Sequence, residues 1–395
     1  MLRRPRVQTG LDVLVNKKFV LLKGARVGLL CHQASVDRSL RHLMDLSSNN
    51  DVTISALFAP EHGLSGTAQD QIPIEREHSS TVGIPVFSLY GRQRIPSTQQ
   101  LSSLDVLVCD LQDVGSRYYT FIWTMILAMQ ACATFGKRFI VLDRPNPIDG
   151  LTMEGPVLDL VFASFVGLYA LPVRHGMTIG EIARWANETY NIGADLEVIP
   201  MQGWKRSMSF AETGLPWVPP SPNMPTTDTA LVYPGGCLIE GTNLSEGRGT
   251  TRPFEWVGAP FIDGEALAVD LNTAQLLGVW FRPCAFEPAF HKFKGERCGG
   301  VQIHVLDPKQ FKPFLCYLIL IERVYQRYSK QFAWRRPPYE YEKQKLAFDI
   351  LCGTDRIRRT IEAGRAVRPL EKTWGQSIEH FRQERRPFLL YNESL

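Results

Sequence analysis

The feature that most constrains the fold is a series of five short apolar segments in the first 150 residues, separated by helix-like segments. The apolar segments are residues 26–31, 52–58, 84–90, 104–110 and 138–142. Residues 40–46 and 119–135 have helical spacing, and Gly136 follows the second of these as a C-cap. Nearly continuous apolar strands that alternate with helices are typical of a parallel sheet covered on both faces. We therefore predict an α/β fold with a Rossmann-like, doubly wound parallel sheet over residues 10–150.

The sequence after residue 150 has a different texture. Residues 151–260 are dominated by loops rich in Gly and Pro, with one helix predicted to begin near Thr178. Long loops in a compact chain are usually functional or disordered, and the aromatic residues at the edges of these loops argue against disorder. From residue 261, helix-like segments at 264–277 and 311–328 and a strand-like segment at 300–305 predict a second, smaller α+β domain that extends to residue 395.

Composition and charge exclude several classes of function. The 395 residues include 44 Lys and Arg against 40 Asp and Glu, and they contain no long basic block, so we predict no nucleic-acid partner. No apolar stretch reaches the roughly 18 residues of a membrane span, and the first 20 residues lack the apolar core of a signal peptide. We therefore expect a soluble protein of the cytoplasm.

The usual motifs for metals and cofactors are absent from the sequence. The eight cysteines form no C-x-x-C pair, and there is no H-E-x-x-H motif, so we predict no metal site and reduced thiols. No G-x-G-x-x-G follows the first predicted strand, and there is no P-loop, so a bound nucleotide is not expected. The sequence therefore predicts no cofactor.

Polar side chains follow four of the predicted strands. These residues are His32 and Gln33, then Glu61 and His62, then Asp110, Gln112, Asp113 and Arg117, and finally Asp143, Arg144 and Asn146. Open parallel sheets bind ligands outside the carboxyl ends of their strands, so we expect the four clusters to converge on one crevice.

Glu61 is the first catalytic candidate in this crevice. It follows an apolar strand and precedes His62 and Gly63, and a carboxyl enclosed by apolar walls can serve as a proton donor near neutral pH. A loop salt bridge is the alternative interpretation. Asp113 lies close to Arg117 in the sequence, and such a pair is either part of a site or a structural ion pair.

A second candidate region is the glycine-punctuated loop over residues 240–251. It combines Glu240, Asn243, Glu246 and Arg248, and its glycines allow the backbone to approach a ligand while Arg248 can bind a carboxylate with two parallel hydrogen bonds. The alternative is an exposed loop with solvated charges. His62 and His175 each lie beside a glycine turn, and both are candidates for substrate contact, with a structural role as the alternative.

The residue types favour carbohydrate chemistry over acyl transfer. No G-x-S-x-G motif is present, and Ser221 and Ser245 lie in loops without a patterned base nearby. Loops rich in carboxyls and bordered by aromatic residues suit glycoside hydrolysis, in which two carboxyl groups flank the scissile bond.

Eight ordered motifs resemble the bacterial exo-β-N-acetylmuramidase family, often called NamZ. They are GLDVL at residue 10, APEHG at 59, DLQDVGSRYYT at 110, LDRPNP at 142, EGP at 154, RHGMT at 174, SPNMPT at 221 and EGTNLSEGRGTT at 240. The resemblance runs from about residue 10 to Tyr391. It implies an enzyme that releases N-acetylmuramic acid from the non-reducing ends of peptidoglycan fragments, with the active site in the cleft between the Rossmann-like domain and the smaller domain. Residues 151–260 are then expected to contribute to that cleft.

Within this framework we predict Glu61 as the general acid and Glu246 as the second carboxyl, with Asp113 in reserve for the second role. The predicted substrate-binding residues are His62, Arg117, Arg144, Asn146, Glu154, His175, Asn223, Glu240, Asn243 and Arg248. The lactyl ether of muramic acid carries a carboxylate, and we predict that Arg248 pairs with it.

Two departures from the family pattern bear on these expectations. The first strand is followed by Cys31-His32-Gln33-Ala34-Ser35, where relatives more often have a Thr-Asn-Gln-Thr-Gly type of turn, so His32 is expected to reshape one wall of the pocket. Many relatives also carry an export signal that this sequence lacks. The protein is therefore expected to act on imported fragments in the cytoplasm, or else to be an exported protein whose leader is absent from the sequence. A muropeptide-binding protein without turnover and a hydrolase of another acidic amino sugar are the alternative functions.

Overall fold

The computed structural model describes residues 7–48, 50, 52–69 and 83–392. Residues 393–395 of the predicted C-terminal domain and residues 70–82 of the predicted N-terminal domain lie outside the described residues.

The strands are β1 (Arg26–Cys31), β2 (Thr53–Ala59), β3 (Val86–Ser88), β4 (Val106–Asp110), β5 (Arg138–Leu142), β6 (Glu154–Val157), β7 (Pro172–Arg174), β8 (Leu196–Ile199), β9 (Trp256–Ala259), β10 (Val279–Phe286) and β11 (Cys298–Val305). The α-helices are α1 (Gly10–Asn16), α2 (Leu43–Ser48), α3 (Thr98–Ser102), α4 (Phe121–Thr134), α5 (Ile179–Thr189), α6 (Phe210–Thr213), α7 (Thr227–Gly236), α8 (Gly264–Thr273), α9 (Pro313–Arg327), α10 (Ala347–Cys352), α11 (Arg356–Glu362) and α12 (Glu371–Arg385). Short 3₁₀ helices occur at Val20–Leu22, Leu160–Phe162, Cys237–Gly241, Arg368–Leu370 and Arg386–Phe388.

The larger sheet is the predicted doubly wound parallel sheet. Its six strands lie in the order β3-β2-β1-β4-β5-β8, and every neighbouring pair is parallel. Leu29 and Leu30 on β1 belong to separate hydrophobic clusters, because successive side chains of a strand point to opposite faces. The direction of chain progression reverses between β1 and β4, which places a ligand crevice at their carboxyl ends.

The five apolar segments that the sequence predicted all contain strands of this sheet, and its sixth strand was not predicted. The third is shorter than expected, since only Val86–Ser88 of residues 84–90 pairs with β2. The sixth strand, β8, lies within residues 151–260, so the sheet extends beyond the predicted boundary at residue 150.

The second half of the chain forms a smaller α+β domain. Its antiparallel sheet has the order β10-β11-β9, and α8 packs on β10 and β11. Helices α8 and α9 and strand β11 confirm the three elements predicted there, whereas β9, β10, α7 and the last three helices were not predicted.

Several buried contacts tie the two halves together. The Arg117 guanidinium donates to the carbonyl oxygens of Pro156 and Leu171 at 2.9 Å and of Leu351 at 2.7 Å, so it joins the first half to α10. Glu154 Oε1 accepts a 2.9 Å hydrogen bond from the backbone N–H of Leu315 in the first turn of α9. These contacts therefore join the two halves of the chain.

Candidate active site

A pocket that opens to solvent lies between the two halves and is lined by residues of both. The lining residues that carry polar chemistry are Glu61, His62, Tyr119, Thr120, Ser221, Asn223, Glu240, Arg248, Tyr339 and Glu340. The cavity therefore combines side chains that follow strands of the parallel sheet with side chains from the second half.

Glu61 lies just beyond the carboxyl end of β2 and is only 6% exposed. Its Oε2 accepts a hydrogen bond of 2.7 Å from the Thr120 hydroxyl, which precedes α4. The chain turns sharply after Glu61, because His62 has a φ of 73° and Gly63 a φ of 82°. The His62 ring supports this turn, since its Nδ1 lies 2.8 Å from the carbonyl oxygen of Ala68. The loop thus presents the Glu61 carboxyl to the cavity in a fixed orientation.

On the opposite side, Glu240 and Arg248 form a buried ion pair at the cavity surface. Arg248 Nη2 lies 2.7 Å from Glu240 Oε1, and the Tyr339 hydroxyl donates to Glu240 Oε2 at 2.9 Å. Among the described residues that line the cavity, Arg248 is the only arginine or lysine. Arg248 is therefore the positive group best placed to meet an anionic substituent.

Glu246 lies behind Arg248 and is fully buried in a cluster of cations. Its oxygens are 3.2 Å from Arg248 Nε, 3.2 Å from His291 Nδ1 and 2.9 Å from Lys292 Nζ. Burial by itself would raise the pKa of Glu246, but the charge of Lys292 and the contacts with His291 and Arg248 hold the pKa well below its usual range. Glu246 is not among the residues that line the cavity, and it contacts Arg248 from behind, so its catalytic role stays a prediction.

The loop between α9 and α10 places Glu340 on another side of the cavity. The Tyr90 hydroxyl donates to both oxygens of Glu340, at 3.2 and 3.4 Å. Glu340 and Tyr341 have φ values of 44° and 68°, an uncommon conformation for two successive non-glycine residues. Burial, followed by the charges of Glu61 and Glu340, raises the pKa of Tyr90 far above its ordinary value, so this phenol keeps its proton.

The structure brings five of the predicted site residues to the cavity, and these are Glu61, His62, Asn223, Glu240 and Arg248. Asn223 donates from Nδ2 to Gln69 Oε1 at 2.8 Å. The other predicted residues are buried or half-buried in contacts of their own.

Asp113 and His175 form one of these contacts. Asp113 Oδ2 accepts a hydrogen bond of 2.7 Å from the backbone N–H of Gly115 and lies 3.3 Å from His175 Nε2. His175 Nδ1 accepts a hydrogen bond from the backbone N–H of Met177 at 3.2 Å, so Nε2 is the ring nitrogen that faces Asp113. Both side chains support the loop beneath the cavity.

Arg117, Arg144, Asn146, Glu154 and Asn243 also make structural contacts where substrate contacts were predicted. Arg144 forms a two-pronged ion pair with Asp110 at 2.5 and 2.8 Å, and Asn146 Nδ2 donates to the carbonyl of Met177 at 3.0 Å. Asn243 pairs with the backbone of Gln331 at 2.8 Å and of Ala333 at 2.9 Å. Glu154 and Arg117 hold the two halves of the chain together, and burial raises the pKa of Glu154 to about 7. These side chains are of the polar types expected in a substrate site, but their hydrogen bonds are made with other groups of the protein.

The four clusters at the strand ends do not share one crevice, because residues 215–224 lie across it. A separate, shallow pocket is lined by Gln112, Arg144 and Trp217. His32 holds this covering segment in place, since its Nδ1 lies 3.3 Å from the carbonyl of Pro220 and its Nε2 accepts from the backbone N–H of Gln112 at 3.1 Å. Burial lowers the pKa of His32 well below its ordinary value, so the ring is neutral. His32 thus supports the wall that carries Ser221 and Asn223.

No group of three or more His, Cys, Asp or Glu side chains in the described part of the chain could hold a metal ion. No helix in the described ranges is both long and apolar enough to cross a bilayer. All eight cysteines are free thiols, and all but Cys284 are buried.

The sequence reasoning missed Tyr90, Tyr339 and Glu340. The last two lie in a proline-rich stretch that follows no strand of the parallel sheet, so the rule that placed Glu61 could not find them. The pattern Tyr339-Glu340-Tyr341 after two prolines was the available signal.

The fold and the carboxyl-lined cavity between its halves define a two-domain α/β glycoside hydrolase. The chain belongs to the exo-β-N-acetylmuramidase NamZ family, whose N-terminal model matches residues 27–228 and whose C-terminal model matches residues 231–391. The boundary between the two models falls inside the segment predicted as loop-rich, at residues 228–231.

Individual relatives agree with this family. A peptidoglycan β-N-acetylmuramidase NamZ from Bacillus subtilis (strain 168) is 44% identical over 390 residues, covering 98% of this chain and 92% of that protein. Two crystal structures of DUF1343 family proteins from Bacteroides fragilis NCTC 9343 also match. The first has a TM-score of 0.89 at 34% identity and covers 98% of this chain and 100% of its own. The second has a TM-score of 0.78 at 29% identity and covers 98% of this chain and 99% of its own.

Proposed function

We propose that this protein is an exo-β-N-acetylmuramidase that removes N-acetylmuramic acid from the non-reducing end of peptidoglycan fragments, with Glu61 as the general acid. The observation that carries the proposal is the position of Glu61, which is buried in the cavity between the domains and oriented by the Thr120 hydroxyl. The peptidoglycan β-N-acetylmuramidase named among its relatives supports the substrate class.

In this reaction Glu61 passes its proton to the glycosidic oxygen as the bond between that oxygen and the anomeric carbon breaks. The Thr120 hydroxyl donates to Oε2 and so orients the carboxyl that delivers the proton. Proton donation matters most for a poor leaving group, such as the sugar hydroxyl of the natural glycan.

Arg248 is our proposed recognition group for the lactyl carboxylate. Its charge is held at the cavity surface by Glu240 and Glu246, and Glu246 is itself balanced by Lys292. A guanidinium fixed in this way meets a carboxylate without reorganising. A glucosamine residue lacks the lactyl group and would leave that interaction unused.

The test compares substrates that differ at one point. The wild-type protein is assayed on 4-nitrophenyl N-acetyl-β-muraminide, on the corresponding glucosaminide and on a muramic acid-terminated disaccharide. We expect turnover of both muramic substrates and little of the glucosaminide. Binding of N-acetylmuramic acid without turnover would instead indicate a muropeptide-binding protein, and turnover of another acidic amino sugar alone would indicate a different hydrolase.

Glu61→Gln tests the acid directly. The amide keeps the shape of the side chain, so we expect turnover of the disaccharide to fall by about 10² to 10⁴. The loss on the nitrophenyl glycoside should be smaller, because nitrophenolate leaves with little need for a proton. Glu188→Gln, an exposed carboxyl on α5, is the matched control. Equal losses on both substrates would remove Glu61 from the acid role.

The cytoplasm is our proposed compartment, with export as the alternative. Seven buried free thiols support a reducing environment. Fractionation of cells that produce the full-length protein, with activity measured in each fraction, would decide between the two.

A further inference from the structure

Tyr119 lines the cavity beside Glu61 and directly precedes Thr120, whose hydroxyl contacts that carboxyl. Its side chain is only 5% exposed. The ring packs against Phe121, with 4.7 Å between the ring centroids, and edge-on against Tyr233 at 5.9 Å. These contacts hold the Tyr119 ring in one orientation.

The hydroxyl of Tyr119 is buried and has no hydrogen-bond partner within the described part of the chain. The Ser221 hydroxyl lies close enough to lower the pKa of Tyr119, as a donor to the phenol oxygen does. Such a contact still supplies no acceptor for the proton of the phenol itself. A buried donor without an acceptor costs free energy, and a ligand that brings an acceptor removes this cost.

The surroundings of this hydroxyl determine which acceptor it fits. Burial raises the pKa of Tyr119 well above its ordinary value, and the charges of Glu61 and Asp113 raise it further, so the phenol is a neutral donor. A nearby carboxylate repels a further anion. The lactyl carboxylate is therefore a poor partner for Tyr119, and an uncharged oxygen is a good one.

The position of the hydroxyl narrows the choice among the uncharged oxygens of the terminal sugar. Glu61 and Ser221 both act on the hydroxyl and both line the cavity, so it lies on the cavity side of the Tyr119 ring. Because Glu61 is the proposed acid, a donor beside it lies near the anomeric carbon. The acetamido group is attached to the neighbouring carbon, and its amide carbonyl is a strong acceptor with two lone pairs.

From this geometry we propose that Tyr119 binds the acetamido group of the terminal sugar, with its hydroxyl donating a hydrogen bond to the acetamido carbonyl oxygen. The inference rests on the proposed function and deepens it. Arg248 then recognises the lactyl carboxylate and Tyr119 recognises the acetamido group. The two contacts together select a sugar that has both substituents.

The test is Tyr119→Phe, which removes only the hydroxyl. Calorimetry measures the binding of N-acetylmuramic acid and of 3-O-lactylglucose, which keeps the lactyl carboxylate and has a hydroxyl in place of the acetamido group. We expect the variant to bind N-acetylmuramic acid about 5- to 100-fold more weakly and to bind 3-O-lactylglucose within about 2-fold of the wild type. The kcat/KM for the nitrophenyl muraminide should fall by a similar factor to the first.

Urea unfolding of the free protein separates a binding role from a structural one. Because a buried hydroxyl without a partner costs stability, its removal should leave the unfolding midpoint unchanged or raise it. Tyr169→Phe is the control. The Tyr169 hydroxyl accepts from Gln130 Nε2 at 2.7 Å, and Tyr169 is not among the residues that line the cavity, so this variant should bind both sugars as the wild type does.

Three results would overturn the assignment. Equal losses on the two sugars would place the hydroxyl against another part of the sugar. Unchanged binding of N-acetylmuramic acid would show that the hydroxyl has no partner on the ligand. A lower unfolding midpoint would show that it has a partner in the free protein.

These outcomes are separate from failure of the proposed function, because binding does not require turnover. If the wild type binds N-acetylmuramic acid but hydrolyses no muraminide, the proposed function is wrong, and the two sugars still test Tyr119. If the wild type is active and Tyr119→Phe binds both sugars normally, only the role of Tyr119 is refuted. A wild-type protein that binds neither sugar would overturn both proposals.

Discussion

The two walls of the cavity are held by different interactions. On the wall formed by the parallel sheet, Glu61 follows a sharp turn and accepts a hydrogen bond from the neutral Thr120 hydroxyl. On the facing wall, Arg248 is fixed by Glu240 and by Glu246, which in turn contacts Lys292. Replacing a residue of the first wall should therefore change chemistry with little change in stability. On the second wall, the removal of one charge leaves others buried and uncompensated, so stability and recognition should change together.

The largest effect on stability is expected for Glu246→Gln. This change leaves Arg248, His291 and Lys292 without their shared carboxylate, and breaking a buried ion pair costs about 3–5 kcal/mol. Urea unfolding should show this loss in the free energy of unfolding. Glu371→Gln is the control, because its pair with Lys312 is exposed and should contribute about 1 kcal/mol or less.

The opposite result would restore the catalytic role predicted from the sequence. If Glu246→Gln unfolds like the wild type and yet loses turnover by about 10² or more, Glu246 acts on the substrate and the two walls are less different than proposed.

A smaller and more selective effect is expected for Arg248→Lys. Methionine at this position would remove the guanidinium that pairs with Glu240, whereas lysine keeps the charge and removes only the two-pronged geometry. We expect kcat/KM for the muramic glycoside to fall. The loss should correspond to about 1.5–3 kcal/mol of transition-state stabilisation. The glucosaminide, which lacks the lactyl carboxylate, should be affected far less. Equal losses on both substrates would show that Arg248 only maintains the wall.

A difference in burial between strands explains how much of the fold the sequence could predict. Strands β1, β2, β4 and β5 are buried on both faces, so each appears in the sequence as a compact apolar run. Strand β10 has one face exposed and contains Arg282 and Pro283, so neither an apolar run nor regular alternation marks it. Strand β8 has four half-exposed or buried residues, too few to show a period.

The site residues also divide into those that the local sequence could predict and those that it could not. Glu61 was predictable because the ends of parallel strands are where such sheets bind ligands. Arg117 and Arg144 satisfied the same rule, but a guanidinium can also bind backbone carbonyls or an adjacent carboxylate, and only the packing distinguishes these uses. Glu340 lines the cavity and contacts Tyr90, which lies 250 residues earlier in the sequence. No local pattern encodes such a contact.

The junction between the walls gives a prediction about pH. Burial raises the pKa of Glu154 to about 7 from an ordinary value of 4.5, so the folded chain binds this proton more tightly than the unfolded chain. The resulting stabilisation is complete below about pH 4.5 and is lost as the pH rises through about 7. Glu154→Gln remains neutral throughout. The difference in unfolding free energy, wild type minus variant, should therefore fall by about 1–3 kcal/mol between pH 4.5 and 8.

Other groups that titrate in this range, such as the buried Asp143, are present in both proteins and cancel in the difference. A difference that stays constant from acid to neutral pH would show that folding does not raise the pKa of Glu154.

The smallest effect is expected on the first wall, for Thr120→Val. Thr120 occupies the N-cap position of α4, but its side chain makes no capping hydrogen bond there and donates to Glu61. Valine has nearly the same shape, so the helix should begin as before, and only the orientation of the acid is loosened. A single hydrogen bond of this kind is worth about 0.5–1.5 kcal/mol, which corresponds to a loss of roughly 2- to 10-fold in kcat. Thr120→Ser keeps the hydroxyl and should retain most of the activity. If Thr120→Val also lowered the free energy of unfolding by several kcal/mol, the hydroxyl would be part of the fold, and the first wall would be built like the second.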